Sequence, residues 1–150
     1  MRYWQAVEPI WGVVSIYDGP TVFLEQFGKV TLAQGYLFAA HWCQSEVCNG
    51  GFHQFFTNPT GVLAPEAAAG YKALGMPECA RVVAEAMAFF VTPYPRGQEM
   101  RIAALRQVPG ETREEWDPFY ELDDRFYPLL DGENGGFEVA ANEYARRTGA

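Results

Sequence analysis

Asn49-Gly50-Gly51-Phe52-His53-Gln54-Phe55-Phe56 is the stretch on which the reading of the fold turns. Its phenylalanines recur at helical spacing, whereas strict two-residue alternation is scarce anywhere in the chain. On a helix of about 100° per residue, Cys48, Phe52, Phe55 and Phe56 share one face, and Glu46, Asn49 and His53 share another. Gly50 and Gly51 are the anomaly. Each costs a helix interior roughly 1 kcal/mol relative to alanine, so close approach of another backbone or side chain is expected to offset them. The stretch reads as a tightly packed helical junction, with Glu46, Asn49, Gly50, Gly51, Phe52, Gln54 and Phe55 as its structural residues.

Helix signals continue on both sides. Val7, Ile10, Trp11, Val14 and Tyr17 recur at helical spacing, with Pro9 tolerated in a first turn, until Asp18-Gly19-Pro20 breaks the chain. A short helix is expected over 21–27. Thr31 is a natural N-cap for a longer one, whose Leu32, Gly35, Tyr36, Ala39, Trp42 and Cys43 face inward; Ser45 reads as the cap of a separate motif helix. Asn58-Pro59-Thr60-Gly61 is a turn. Pro65 opens a helix that stops at Gly75, and Pro77 opens another that reaches about residue 90. Beyond the connector at 92–97, helices are expected near 98–107, 114–130 and 137–147. The architecture expected is all-α, one compact domain over residues 1–150 with about seven or eight helices. Asn134-Gly135-Gly136-Phe137 repeats the letters of the central motif, but its flanks do not match. It reads as the loop before the last helix, not as an internal duplication.

Composition bounds the function. Apolar residues make up 49% of the 150, enough for a real core, so disorder is excluded. The first residues lack the apolar run of a secretion signal, and no stretch reaches the length of a membrane span. Cys43, Cys48 and Cys79 make neither an even disulfide framework nor a zinc-ribbon spacing. A cytoplasmic protein with reduced thiols is expected. The net charge of −8 is unevenly placed: residues 1–110 hold 8 acids and 7 bases, whereas residues 111–150 hold 11 acids and 4 bases. Direct nucleic-acid binding needs a basic footprint, and none is visible. An acidic region of this kind either steers toward a basic protein surface or simply keeps the chain soluble.

No catalytic constellation stands out in the sequence. His41, Glu46 and His53 offer metal-ligating side chains, but no His-Glu-x-x-His pattern holds them together, and a structural role suits each histidine better. Cys48 and His53 suggest a nucleophile–base pair, yet five residues along one helix they point about 140° apart. No phosphate-binding glycine loop, nucleotide fingerprint or serine elbow is present. The chain is expected to have no catalytic residue, no metal and no cofactor.

The segment 114–130 is read as one amphipathic helix. Trp116, Phe119, Tyr120, Leu122, Phe126, Tyr127, Leu129 and Leu130 fill its apolar arc, and Glu114, Asp117, Glu121 and Asp124 align on the opposite arc. Successive carboxylates then rise by about 4.5 to 6 Å, the scale on which phosphates recur along a nucleic-acid strand. A solvated acidic face has the same pattern. Asp123 breaks it, pointing into the apolar arc, where an unpaired carboxylate is very costly. It is expected to be buried and to accept hydrogen bonds, the donors being Asn49, a tyrosine or tryptophan, or first-turn amides of another helix.

Three stretches carry a family likeness. Glu46-Val47-Cys48-Asn49-Gly50-Gly51-Phe52-His53-Gln54-Phe55-Phe56-Thr57-Asn58 resembles the signature of the bacterial family named after DNA mimic protein 19. Leu63-Ala64-Pro65-Glu66-Ala67 with Ala73-Leu74-Gly75, and Phe119-Tyr120-Glu121-Leu122-Asp123-Asp124-Arg125-Phe126-Tyr127, follow in the same order, so the likeness runs from about residue 30 to the end. Cys48 departs from it, standing where the family has a second asparagine. The resemblance implies a helical, non-enzymatic protein; the family's namesake is acidic and occupies the DNA-binding surface of a transcription regulator. The reading that results is a non-catalytic module whose Glu114, Asp117, Glu121 and Asp124 engage a basic protein surface, such as that of a DNA-binding regulator. An immunity protein that plugs a basic toxin enzyme is the second reading, and a small metal-dependent enzyme around Glu46 and His53 a distant third. Self-association into a homodimer is compatible with each.

Overall fold

Prolines and glycines punctuate the chain into nine α-helices among the described residues, 2–150 of a computed structural model, with no strand among them. In order these are α1 (Trp4–Val7), α2 (Gly19–Phe27), α3 (Leu32–Thr57), α4 (Ala64–Ala73), α5 (Pro77–Met87), α6 (Gln98–Arg106), α7 (Arg113–Trp116), α8 (Tyr120–Gly132) and α9 (Phe137–Thr148). Short 3-10 turns at Glu8–Ile10, Pro59–Leu63 and Glu133–Gly135 link them. The all-α expectation holds. The first helix is much shorter than expected, because the chain passes from α1 through a 3-10 turn into irregular turns before residue 17.

Local signals set several helix ends. The Thr31 hydroxyl accepts from the Gln34 amide at 3.1 Å, while the Gln34 side chain accepts from the Thr31 amide at 3.1 Å, a closed capping box. Gly75, at φ +74°, ends α4: the Met76 amide donates to the Tyr71 carbonyl and the Gly75 amide to that of Lys72. That is the paired bonding of a Schellman turn. The N-terminus of α5 is capped from afar, since the Glu133 carboxylate accepts from the amides of Glu78 at 2.7 Å and Cys79 at 2.9 Å.

The central element is α3, against which α1, α4, α6, α8 and α9 all pack. It does not start afresh at Ser45 as expected; it runs through that residue and is broken further on, at Gly50 and Gly51, whose dihedrals are not helical. One hydrophobic cluster extends from Ala6 to Ala145, and the aromatic rings that follow the break lie at its heart. Phe52 meets Phe126 with ring centroids 5.0 Å apart, and Phe56 meets Phe90 and Phe119 at 5.0 Å each. Offset and tilted geometries of this kind add to the area that the rings bury.

Arg101 is wholly buried with no carboxylate as partner, and sequence reasoning passed over it. Its guanidinium instead donates to main-chain carbonyls: Phe56 at 2.9 Å, Asn58 at 3.0 Å, Pro95 at 3.2 Å, and Arg96. Phe56 and Asn58 close the C-terminal end of α3, where carbonyls lack helical donors and the helix dipole favours a cation. Burial lowers the pKa of Arg101, but a guanidinium remains charged at any physiological pH.

Arg101→Met should therefore orphan several buried carbonyls. A loss of about 3 kcal/mol or more is expected in denaturant unfolding, against under about 0.5 kcal/mol for the exposed Arg106→Met on the same helix. Similar midpoints for the two variants would contradict the capping role.

Candidate functional site

The break in α3 is built by two glycines with different duties. Gly51 sits at φ +76° and ψ 177°, a conformation open essentially to glycine alone. A Cβ on it would lie 2.3 Å from Asp123 Oδ2. Gly50 leaves room for another side chain, since a Cβ there would lie 2.0 Å from Gln54 Oε1. The close approach expected at this pair is thus made by side chains, from Asp123 and Gln54.

Breaking a helix exposes carbonyls on one side and amides on the other. Both are met from the C-terminal part of the chain. The buried Asp123 Oδ1 accepts from the Phe52 amide at 2.9 Å, so Asp123 caps the resumed helix, as the first-turn-amide expectation had it. The Arg113 guanidinium donates to the Gly50 carbonyl at 2.8 Å, and the Tyr127 hydroxyl to the Val47 carbonyl at 3.1 Å. Burial raises the Asp123 carboxyl to about 6; Asp117 adds to the rise, while the Phe52 amide and Arg113 oppose it.

A polar seam crosses the bend on the outside. Asn49 donates to Gln54 at 3.1 Å, Gln54 donates to Glu46 at 2.7 Å, and Asn58 donates to the same Glu46 oxygen at 2.9 Å. Glu46 and Asn49 precede the break and Gln54 and Asn58 follow it, so the seam clasps the two halves together. This corrects the face assignment made on a continuous helix. The break resets the phase, placing Gln54 with Glu46 and Asn49 and turning His53 away to the edge of the Trp116 ring, 5.0 Å between centroids. Phe52, Phe55 and Phe56 are buried as expected, but Cys48 is exposed. His41 is remote from this site in its contacts: its Nδ1 meets the Tyr3 hydroxyl at 2.9 Å and its ring packs on Trp4 at 5.1 Å. Burial lowers the pKa of both histidines.

The acidic stripe needs the larger correction. Segment 114–130 is not one helix, because Pro118 disfavours helical geometry at Asp117, which is extended at φ −97° and ψ 103°. Asp117 is consequently 2% exposed, not part of a surface row. One oxygen accepts from the Phe119 amide at 2.9 Å and the other from Arg113 at 3.2 Å. That bond holds the guanidinium that reaches Gly50. Glu114, Glu121 and Asp124 remain exposed, Glu114 on α7 and the other two on α8. None of the three has an ion pair among the described residues, and the same is true of the exposed Glu111 and Asp131. Trp116 is only half-buried, and Tyr120 and Tyr127 keep 40% and 37% of their surface exposed, so the apolar arc of the expected helix is narrower than the spacing predicts.

The sequence profile of the DMP19-like protein family matches residues 28–148, and the chain belongs to that family. The match takes in the broken helix, the carboxylate that caps it and the acidic helices; residues 2–27, with α1 and α2, lie ahead of it. No curated protein and no solved structure matches the chain significantly.

Two expectations follow from the break. Gly51→Val should destabilise by well over the helix-propensity difference of under about 1 kcal/mol, because the side chain meets both a forbidden dihedral and Asp123; an unchanged thermal midpoint would contradict this. Asp123→Ala should cost roughly 1 to 3 kcal/mol and the neighbouring exposed Asp124→Ala little, read from urea unfolding.

Asp123 also sets a pH dependence. Its folded pKa of about 6 lies above the ordinary carboxylate value, so between them the native state holds a proton that the unfolded chain releases. The contribution of this group is full below about pH 4 and is lost as pH rises through about 6. Asp123→Asn keeps an oxygen for the Phe52 amide but cannot titrate. The stability of the wild type relative to this variant should fall between pH 4 and 7; a difference that rises or stays flat would refute the assignment.

Proposed function

We propose that the protein is a non-catalytic, acidic binding module that engages a basic surface on a protein partner through the exposed carboxylates of α7 and α8. The observation that carries this reading is the division of labour among the C-terminal acids. Residues 111–150 hold 11 acids against 4 bases. Asp117, Asp123 and Glu133 serve the fold itself through bonds to main-chain amides. Glu111, Glu114, Glu121, Asp124 and Asp131 are exposed without an ion pair among the described residues, which leaves their field directed at solvent. Unpaired charge of one sign on a small surface attracts an oppositely charged partner over about a Debye length.

Family membership supports a partner of the DNA-binding class, since the family's namesake is a mimic of DNA. On this reading Glu114, Glu121 and Asp124 stand in for backbone phosphates, displayed from two short helices instead of one long one. A nucleic-acid ligand is disfavoured by the same charge. No helix among the described residues is long and apolar enough to cross a membrane, and we place the module in the cytoplasm with its partner.

Affinity capture at low salt, followed by association kinetics with the captured protein, tests the proposal. Glu121→Lys with Asp124→Lys should slow association and flatten its dependence on salt, while each exposed change alters stability by under about 0.5 kcal/mol. An unchanged association rate in the doubly reversed protein would mean that these carboxylates only solvate the surface.

A further inference from the structure

His53, inside the glycine–phenylalanine motif, opens onto a groove of about 380 Å³ between the end of α3, α6 and α7. Ile102, Leu105 and Val108 supply an apolar floor and Trp116 an aromatic wall. Ile102, Leu105 and Arg106 fall at helical spacing on one side of α6, so the guanidinium of Arg106 stands at the rim of the apolar strip. The polar groups already in use are accounted for. The Thr57 hydroxyl, also in the lining, donates back to the His53 carbonyl at 2.9 Å. Arg113 lies with its guanidinium carbon 5.8 Å from the Trp116 ring centroid and is spent on Asp117 and Gly50.

Arg106 is different. It is exposed and makes neither a hydrogen bond nor an ion pair with any described residue, in a chain whose net charge is −8. The His53 ring likewise makes no hydrogen bond among the described residues, its edge contact with Trp116 apart. Apolar concavities of this size with a few uncommitted polar groups at the edge are the usual form of a small-molecule site. An anion suits the guanidinium of Arg106 at the rim, and an apolar body suits the floor.

We propose that this groove binds a small apolar monocarboxylate, with its carboxylate on Arg106 and its hydrocarbon body against Ile102, Leu105, Val108 and Trp116. The carboxylate gains a charge-assisted hydrogen bond from a guanidinium with no ion pair among the described residues, and each methylene buried on the floor adds to the affinity. None of the acidic carboxylates of α7 and α8 lines the groove, and its test involves no protein partner, so it stands or falls independently of the partner-binding reading.

Octanoate and octanol, which share a chain but differ in charge, are the probes, titrated into the full-length protein and followed by the NMR signals of the Trp116 indole and the Ile102 methyl groups. Octanoate should shift both signals saturably and bind more tightly than octanol. Arg106→Gln, an exposed change that leaves the fold intact, should weaken octanoate about tenfold, equivalent to about 1.4 kcal/mol, and octanol less than twofold, since only octanoate loses a charge-assisted hydrogen bond. Trp116→Ala should weaken both. No saturable shift with octanoate would overturn the proposal, as would Arg106→Gln binding it within twofold of wild type. Octanol binding as tightly as octanoate would also overturn it and give the groove to an uncharged apolar partner.

Discussion

A helix interrupted at its middle leaves main-chain donors and acceptors on both sides of the gap, and the whole arrangement of this protein depends on how those are met. The resumed stretch of α3 after Gly51 is short, and an isolated helix of that length has no stability of its own. It is held between two buried charges of the sense its dipole requires: the Asp123 carboxylate on the Phe52 amide at the start, and the Arg101 guanidinium on the Phe56 and Asn58 carbonyls at the finish. The charges come from different parts of the chain, α8 and α6. Closing the break therefore fixes both helices against α3 and encloses the phenylalanines between them.

The acidity of the last forty residues has two physical meanings that a net charge merges. Asp117 and Asp123 are taken out of water to satisfy amides at chain breaks, and Glu133 does the same for the start of α5. Such carboxylates are worth more to the fold than to any long-range field, because burial ties them to fixed donors and screens them from solvent. What remains for attraction at a distance is the set with no partner. A count of acids overstates the interaction surface, and the Asp117 correction is the clearest instance: a residue at the right helical phase is removed from the surface by the proline that follows it.

Much of the fold was legible because its signals are local. Thr31 and Gly75 mark helix ends through bonds that span a few residues, and Pro77 through the fixed dihedral of its ring, so these ends agree with the sequence. Asp123 was legible for another reason: a carboxylate in an apolar arc has to find donors, and first-turn amides were among those named. Misreadings arose where phase is carried through a discontinuity. Gly50 and Gly51 break the helix on which the faces are projected, so those of His53 and Cys48 come out wrong. Pro118 is a local mark of the second discontinuity, since it disfavours helix at the residue before it. Arg101 and Glu133 act on carbonyls and amides far away in the chain, and no local pattern announces such a partner. The Asn134-Gly135-Gly136-Phe137 echo proves to share local geometry with the motif. Gly136, at φ +93° and ψ 163°, precedes the first residue of α9 much as Gly51 precedes Phe52.

The coupling between the break and the acidic helices bears on how the exposed carboxylates act. A solubilising tail has no need of rigidity, and ordering one on binding costs conformational entropy for every side chain and backbone unit that is fixed. Glu121 and Asp124 instead stand on the first turns of a helix that is pinned through its own neighbour Asp123 to the Phe52 amide, and again through Tyr127 to the Val47 carbonyl. Glu114 stands on α7, whose Arg113 reaches the Gly50 carbonyl. The free acids thus sit one to six residues from side chains that bond the main chain of α3, and their spacing is set before any partner arrives. Preorganisation of that kind distinguishes a recognition surface from a diffuse charge, because a fixed array rewards only a partner whose cations match it. The two glycines that weaken α3 as a helix are in this sense what lets α7 and α8 dock on it, and so what fixes the geometry of the charges they carry.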